Sequence, residues 1–164
     1  MFEEIVSNYE PQIFEDKRGY LKVISEDLVT GVSYKESFSL KNVYRGLHIQ
    51  YPPFAQTKHI MVKSGCIIDY VMVLDPKSKN FGKIFNSKLS SSEMIYTIPK
   101  FCAHGYLALE DSVIRYLCLG KYSEKEEVSI RPFEWADDNL IYSVKDENGL
   151  TLEEAINVFS KIQW

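Results

Sequence analysis

The stretch RGLHIQYPPFAQTKHIMVKSGCIIDYVMVLDP, residues 45–76, decides the fold. It contains two apolar runs with Gly65 between them, and Asp75-Pro76 ends the second run. Glycine and Asp-Pro are turn signals, so the pattern predicts short strands separated by turns. The segments GYLKVISE, GKIFNSKLS, EMIYTIP, GYLALED and SVIRYLCLG extend the same pattern through the chain.

The end of the chain has a different pattern. In TLEEAINVF, Thr151 is followed three residues later by Glu154, which is the signature of a capping box. Apolar residues then recur at helical spacing. Strands spaced by about 8–12 residues predict a sandwich or barrel. The sequence therefore predicts one all-β domain over residues 1–164, a cupin or jelly-roll β-barrel with a short C-terminal helix.

Composition narrows the function classes. The chain has 164 residues and a formal net charge of -4, which favours neither a nucleic-acid nor a membrane partner. Residues 1–10 lack the basic and apolar regions of a signal peptide, and no apolar run reaches membrane-spanning length. The three cysteines have no metal-type spacing and sit among apolar neighbours, which indicates reduced, buried thiols. A cytoplasmic location is expected.

Polar residues occupy one face of the strand RGLHIQ. Leu47 and Ile49 alternate with His48 and Gln50, so the polar pair shares a face. An inward polar face in a β-barrel lines a ligand cavity. A histidine satisfied at the surface or in the core is the ordinary alternative.

Further candidates follow along the chain. Lys58 begins a core strand, where an inward ammonium needs an anionic partner. His104 precedes a glycine, Tyr116 lies on a predicted strand, and Asp146 lies in a turn before the helix. Each also has an ordinary structural explanation: a rim lysine, a turn histidine, a core tyrosine and a plain turn.

Together the segments FEDKRGYLKV, NVYRGLHIQ, IPKFCAHGYLAL and SVKD resemble the dTDP-4-dehydrorhamnose 3,5-epimerase family. R-G-L-H followed by A-Q-x-K and I-P-x-x-x-A-H-G is a specific combination, and the similarity spans residues 14–146. The resemblance implies a homodimeric cupin-type jelly roll that epimerises nucleotide-diphosphate-linked 4-keto sugars for surface polysaccharide. It also implies that no metal or redox cofactor is used.

The resemblance assigns roles to individual residues. His48 takes the role of the base, Asp146 that of its partner carboxylate, Lys58 that of the cation near the ketone, and Tyr116 that of the acid. The implied substrate-binding residues are Arg18, Arg45, Gln50, His104 and Tyr122, with the two arginines on the diphosphate.

The sequence departs from the family near the expected nucleotide site. The family has a Q-x-N-x-S segment where this chain has SYKESFSLKN, and Val23 replaces a family glutamate. These departures favour another nucleotide, such as GDP, or another sugar, such as a heptose.

Competing interpretations remain open. A metal cupin would use His48, His59 and His104 as ligands. A sugar-nucleotide 3,4-ketoisomerase would share the barrel and the histidine base. A non-catalytic cupin would only bind a sugar nucleotide.

Overall fold

A computed structural model describes residues 9–131 and 139–164. The first eight residues, part of the segment in which no signal peptide is predicted, lie outside the described residues. The strands are β1 (Gln12–Asp16), β2 (Gly19–Glu26), β3 (Ser33–Ser39), β4 (Tyr44–Gln50), β5 (Thr57–Ser64), β6 (Cys66–Val73), β7 (Ile84–Ser90), β8 (Tyr96–Ile98), β9 (Cys102–Ala108), β10 (Ser112–Leu119) and β11 (Glu127–Ser129). Among the described residues, the α-helices are α1 (Val144–Glu147) and α2 (Leu152–Phe159), and a 3₁₀ helix spans Glu124–Glu126.

These strands form two antiparallel sheets. The six-stranded sheet has the order β1-β2-β3-β10-β5-β8, and the five-stranded sheet has the order β11-β4-β9-β6-β7. The predicted all-β fold with a short C-terminal helix is confirmed. Within the described residues, no helix is both long and apolar enough to cross a bilayer.

The turn at Gly65 carries the chain from one sheet to the other. The strand before it, β5, belongs to the six-stranded sheet, and β6 belongs to the five-stranded sheet. Gly65 has φ 84, and a Cβ there would lie 2.3 Å from Ser112 Oγ. Glycine is required here because other residues rarely adopt this φ and would collide with the neighbouring loop.

Two apolar cores hold the sheets in place. One lies between the sheets and includes Ile60, Ile67 and Ile114. The other lies between the five-stranded sheet and the C-terminal segment, where it includes Leu47 and Phe159. Burying such a side chain contributes roughly 1.5–3 kcal/mol, so both layers stabilise the barrel.

The C-terminal helix α2 begins as its sequence predicts. Thr151 Oγ1 accepts a hydrogen bond from the Glu154 backbone N–H at 3.0 Å, and the Glu154 carboxylate accepts one from the Thr151 N–H at 2.8 Å. The predicted capping box is therefore confirmed. Ala155 and Phe159 are fully buried, and they fix the helix against the five-stranded sheet.

A break in register on β4 shapes the interior. Arg45 pairs with Tyr106 and His48 pairs with His104, so three residues of β4 span two of β9. Alternation along β9 puts Tyr106 and His104 on one face, and cross-strand partners share a face. Arg45 and His48 therefore both face the interior, although simple alternation would separate them.

Glycines allow this break. Gly46 has φ 115, and a Cβ there would lie 2.6 Å from Gly105 Cα. A Cβ on Gly105 would in turn lie 2.4 Å from the Arg45 carbonyl oxygen. The glycines of R-G-L-H and A-H-G thus permit two backbones to approach closely, and this approach aims Arg45 and His48 inward.

Candidate active site

A histidine–aspartate pair lies on the inner face of the five-stranded sheet. His48 Nε2 is 2.5 Å from Asp146 Oδ1, and the Asp146 side chain is 2% exposed. Ser129 Oγ donates to the same carboxylate oxygen at 3.2 Å, and Arg18 Nη1 lies 3.5 Å from the other. Asp146 lies within α1 rather than in a plain turn, and Ser143 caps that helix by accepting from the Asp146 N–H.

These contacts keep Asp146 ionised. Burial by itself raises the pKa of this carboxyl group, but the hydrogen bond and charge of His48, helped by Ser143 and Arg18, hold it below its usual value. A carboxylate on Nε2 fixes the proton of the neutral imidazole on that nitrogen. His48 Nδ1 is therefore the nitrogen that can accept a proton.

We expect the stability of the protein to fall in acid partly through Asp146. The pKa of Asp146 is lower in the folded state than in the unfolded state. Its contribution to folding stability is therefore present above the unfolded-state pKa of about 3.9 and is lost as pH falls toward the folded-state pKa. In Asp146→Asn, the unfolding temperature should be lower at neutral pH and should depend less steeply on pH on the acid side. Thermal unfolding between about pH 7 and pH 3 measures this.

The exposed residue Asp111 supplies the control, since its carboxylate accepts only a surface contact from the Lys41 backbone among the hydrogen bonds described. Asp111→Asn should retain the acid-side slope of the parent. Equal slopes in Asp146→Asn and the parent would argue against Asp146 as the group responsible.

Lys58 and Tyr116 lie on the facing, six-stranded sheet. Lys58 on β5 pairs with Cys118 on β10, and Tyr116 pairs with Ile60. Tyr116 and Cys118 alternate on one face of β10, so Lys58 and Tyr116 share the face that carries Ile60 into the inner core. The His48–Asp146 pair and the Tyr116 phenol thus enter the barrel interior from opposite sheets.

The Lys58 ammonium reaches across the interior toward β4. Its Nζ is 3.5 Å from the His48 backbone carbonyl oxygen. Burial lowers its pKa, and the negative charge of Glu127 acts in the opposite direction. The Lys58 side chain therefore ends in the barrel interior, beside the backbone of His48.

Glu127 is a site residue that the sequence analysis missed. Its carboxylate accepts a hydrogen bond from Tyr122 Oη at 3.1 Å and forms an ion pair with Lys145. Burial raises the pKa of Glu127, but His48, Lys145 and Lys58 together lower it below its ordinary value. Glu127 lies in the charged run SEKEEV, and nothing in that run distinguishes it from its neighbours.

His104 belongs to a second buried pair. Its Nε2 is 2.6 Å from Asp69 Oδ1, and both side chains are buried. Asp69 was also missed, although a single aspartate within the apolar strand CIIDYVMV is a detectable signal, because a buried carboxylate needs a partner.

The predicted diphosphate-binding arginines are held by protein groups. Arg18 donates to Asp16 from Nη2 at 2.7 Å and approaches Asp146. Arg45 donates to Ser39 Oγ at 2.8 Å and to the Phe38 carbonyl oxygen at 3.0 Å. A guanidinium has further N–H donors, so these bonds orient both groups and leave capacity for an anion.

Gln50 and Tyr122 lie near the same loop. Gln50 is 4% exposed, and its Oε1 accepts from the Ser123 N–H at 2.8 Å. Tyr122 is partly exposed, and Lys35 Nζ lies 5.0 Å above its ring. Gln50 therefore holds the loop in place, whereas Tyr122 presents an aromatic surface.

The positions that depart from the family pattern are neighbours in the structure. Val23 on β2 pairs with Lys35 on β3, and Lys35 pairs with Tyr116 on β10. Cross-strand partners share a face, so Val23, Lys35 and Tyr116 form a row along the inner face of the six-stranded sheet.

The three histidines do not form a metal site. His48 and His104 each bind an aspartate, whereas His59 Nδ1 is 2.9 Å from Thr97 Oγ1. His59 alternates with Lys58 and faces outward. Among the residues that the structure describes, no group of histidine, cysteine and carboxylate side chains is arranged to hold a metal ion.

Comparison with solved structures places this fold among known epimerases. A dTDP-4-dehydrorhamnose 3,5-epimerase from Sulfolobus tokodaii superposes with a TM-score of 0.69 at 32% identity, covering 87% of each chain. A Legionella pneumophila epimerase in complex with dTDP-4-keto-L-rhamnose gives a TM-score of 0.66 at 27% identity, covering 88% of this chain and 86% of that one. The cupin-type jelly roll is thereby confirmed.

Comparison of the amino-acid sequence with known proteins agrees with the structural comparison. The family model described as dTDP-4-dehydrorhamnose 3,5-epimerase matches residues 4–154. The enzyme of that name from Escherichia coli (strain K12) is 32% identical over an alignment that covers 91% of this chain and 90% of that protein. The Methanothermobacter thermautotrophicus enzyme is 33% identical and covers 88% of both. The chain therefore belongs to the dTDP-4-dehydrorhamnose 3,5-epimerase family, and it is an epimerase of the isomerase class.

Proposed function

We propose that this chain inverts C3, C5 or both carbons of a nucleotide-linked 4-keto sugar through an enolate. The observation that carries the proposal is the placement of the His48–Asp146 pair and the Tyr116 phenol on facing sheets, with the Lys58 ammonium beside His48. A base and an acid on opposite sides of a ring are what inversion at a carbon requires.

The proposed reaction begins at a carbon next to the ketone. His48 Nδ1 takes the proton from that carbon, and the electron pair delocalises onto O4. Asp146 stabilises the imidazolium that forms, and Lys58 stabilises the negative charge on O4. Tyr116 then donates its phenolic proton to the same carbon from the opposite face. Solvent restores both groups after product release.

Arg18 and Arg45 are proposed to hold the substrate diphosphate. Their guanidinium groups are oriented by Asp16 and Ser39, and charge-assisted hydrogen bonds to phosphate need such orientation. His104, Gln50 and Tyr122 are proposed to shape the remainder of the site.

The nucleotide is proposed to differ from dTDP, with GDP as the first alternative. The row formed by Val23, Lys35 and Tyr116 supports this, because Lys35 adds a positive charge within the segment that replaces Q-x-N-x-S and Val23 takes the place of a family glutamate. The same change would suit a sugar larger than a hexose, such as a heptose.

Proton NMR in heavy water tests the proposed function. The protein is incubated with dTDP-, GDP- and CDP-linked 4-keto sugars, and deuterium incorporation is followed at C3 and C5. Exchange with inversion at either carbon supports the proposal. Binding without exchange for every substrate would favour a non-catalytic cupin, and transfer of the ketone to C3 would favour a ketoisomerase.

Tyr116→Phe is expected to slow inversion by about 10²-fold, because a positioned acid typically contributes at least this factor. Deuterium should still wash in at the carbon from which His48 removes a proton. Separate measurement of inversion and exchange by NMR distinguishes the two steps. Equal inversion rates for Tyr116→Phe and the parent would remove Tyr116 from the role of acid.

A further inference from the structure

A row of buried hydroxyl groups lies behind Tyr116. Tyr116 Oη is 2.9 Å from Ser37 Oγ, which is 2.9 Å from Tyr106 Oη. Tyr106 Oη is 2.8 Å from Ser39 Oγ, and Ser39 Oγ accepts a hydrogen bond from Arg45 Nε at 2.8 Å. We call Ser37, Tyr106 and Ser39 the hydroxyl chain.

The hydroxyl chain is shielded from solvent and crosses between the sheets. Ser37 and Ser39 are 0% exposed, and Tyr106 is 1% exposed. The serines lie on β3 of the six-stranded sheet, whereas Tyr106 lies on β9 of the five-stranded sheet. Buried hydroxyls in a low-dielectric interior are costly unless they are paired, so the bonds within the chain are strongly favoured.

Arg45 occupies one end of this row of hydrogen bonds as a donor to Ser39. A guanidinium is only a donor, so Ser39 Oγ accepts from it, and the Ser39 proton is free to bond Tyr106 Oη. Each hydroxyl has a single proton to donate. With the Ser39 proton on Tyr106, Tyr106 donates to Ser37, and Ser37 donates to Tyr116. In that order, Ser37 does not receive the phenolic proton of Tyr116, which is left for the substrate.

We propose that Ser37, Tyr106 and Ser39 are positioning residues that turn the Tyr116 proton toward the substrate and stabilise the phenolate left after proton transfer. The inference rests on the proposed function, since it takes Tyr116 as the acid. It extends that function to three residues that contact Tyr116 or one another rather than the reacting carbon.

The chemistry balances without proton flow along the hydroxyl chain. Tyr116 loses its O–H proton to the carbon of the enolate and becomes a phenolate, which accepts the hydrogen bond from Ser37. Arg45 does not release a proton at accessible pH, so it cannot refill the phenolate through the chain. Solvent that enters when product leaves supplies that proton.

The electrostatic surroundings of Tyr116 agree with this role. Burial and the nearby Tyr106 raise the pKa of Tyr116, whereas the Ser37 hydrogen bond and the Arg45 charge act in the opposite direction. The Ser37 hydrogen bond and the Arg45 charge therefore make the buried phenol a better acid than it would be without them.

Two variants interrupt the hydroxyl chain at different points. Ser37→Ala removes the direct donor to Tyr116 and is expected to lower kcat about 10- to 100-fold, the worth of a hydrogen bond to a charged group. KM should change less than about twofold, because Arg45 keeps its bond to Ser39. Tyr106→Phe leaves the Ser37 hydroxyl in place but removes the group that orients it. We therefore expect kcat to fall less than in Ser37→Ala, again with little change in KM.

A second measurement needs no turnover. Tyr116 is replaced site-specifically by 3-fluorotyrosine, a more acidic phenol, and its ionisation is followed by fluorine NMR. Loss of the donor destabilises the phenolate, so the ionisation midpoint should rise by about one pH unit or more in Ser37→Ala. The shift should be smaller in Tyr106→Phe, because that variant also removes a neighbouring hydroxyl that raises the pKa of Tyr116.

Tyr70→Phe is the matched control. It also removes a hydroxyl from a buried tyrosine, but Tyr70 packs in the core on the other side of the five-stranded sheet. Both kcat and the midpoint should match the parent. If Tyr106→Phe fails to fold, Ser39→Ala interrupts the same chain one hydroxyl further from Tyr116.

The outcomes separate this inference from the proposed function. An unchanged midpoint in folded Ser37→Ala, or Tyr106→Phe indistinguishable from Tyr70→Phe in both measurements, overturns the inference even if the wild-type protein catalyses exchange. If the Tyr116 ionisation midpoint rises in Ser37→Ala but the wild-type protein catalyses no deuterium exchange, the hydroxyl chain still controls the acidity of Tyr116. The proposed reaction would then be wrong.

Discussion

Replacing His48 by alanine is expected to stop deuterium exchange at both C3 and C5. The proposed mechanism begins with proton removal by this imidazole, and a positioned base contributes about 10²–10⁴-fold. We expect a loss near the upper end of that range, because Asp146 holds His48 at 2.5 Å and fixes which nitrogen is basic. Proton NMR of the sugar in heavy water measures the exchange rate directly.

His59→Ala is the matched control for this variant. His59 lies on the outward face of β5 and bonds to Thr97, so its removal should leave exchange within about twofold of the parent. Exchange at the parental rate in His48→Ala, with the fold intact, would refute the assignment of the base. Loss of exchange in both variants would show that the effect is not specific to the interior.

Lys58→Met is expected to have the second-largest effect. Methionine fills a similar volume but offers no charge to the enolate oxygen. Loss of one donor at a developing oxyanion typically costs about 2.7–4 kcal/mol, which is on the order of 10²–10³ in kcat. Substrate affinity should change less than kcat, because the charge on O4 appears only as the reaction proceeds.

The pH profile gives a second measure of Lys58. Burial lowers its pKa, so the ammonium loses its charge, and the enzyme its activity, at a lower pH than an exposed lysine would. We expect the parent to lose kcat/KM as pH rises through this value and Lys58→Met to lack that inflection. Lys63→Met is the control, since Lys63 lies exposed on the same strand.

If Lys58→Met still loses kcat/KM at high pH as the parent does, another group is responsible for that loss. Activity equal to that of Lys63→Met would remove Lys58 from the reaction altogether.

Local patterns were sufficient for much of the fold. Alternating apolar residues marked most strands, and Thr151 with Glu154 marked the start of α2 before any contact was known. These features depend on neighbours close in the chain. The strands β1, β3 and β11 were not identified, because their apolar pattern is weak and the remainder of their sheet supplies their partners.

The motif residues were named from the sequence, but their arrangement was not. Alternation along β4 would place Arg45 and His48 on opposite faces, and the register break opposite β9 brings both inside. Glu127 could not be singled out, because its neighbours in SEKEEV have the same character and only folding brings it to Tyr122 and Lys145.

By itself, the sequence determined the all-β class, the terminal helix, the family and the residue types of the site, since these follow from local spacing and motif identity. Only the tertiary structure decided which side chains meet. The hydroxyl chain joins Ser37 on one sheet to Tyr106 on the other, residues 69 positions apart. Such pairing depends on strand register and on how the two sheets face each other, and no pattern within a single segment encodes either.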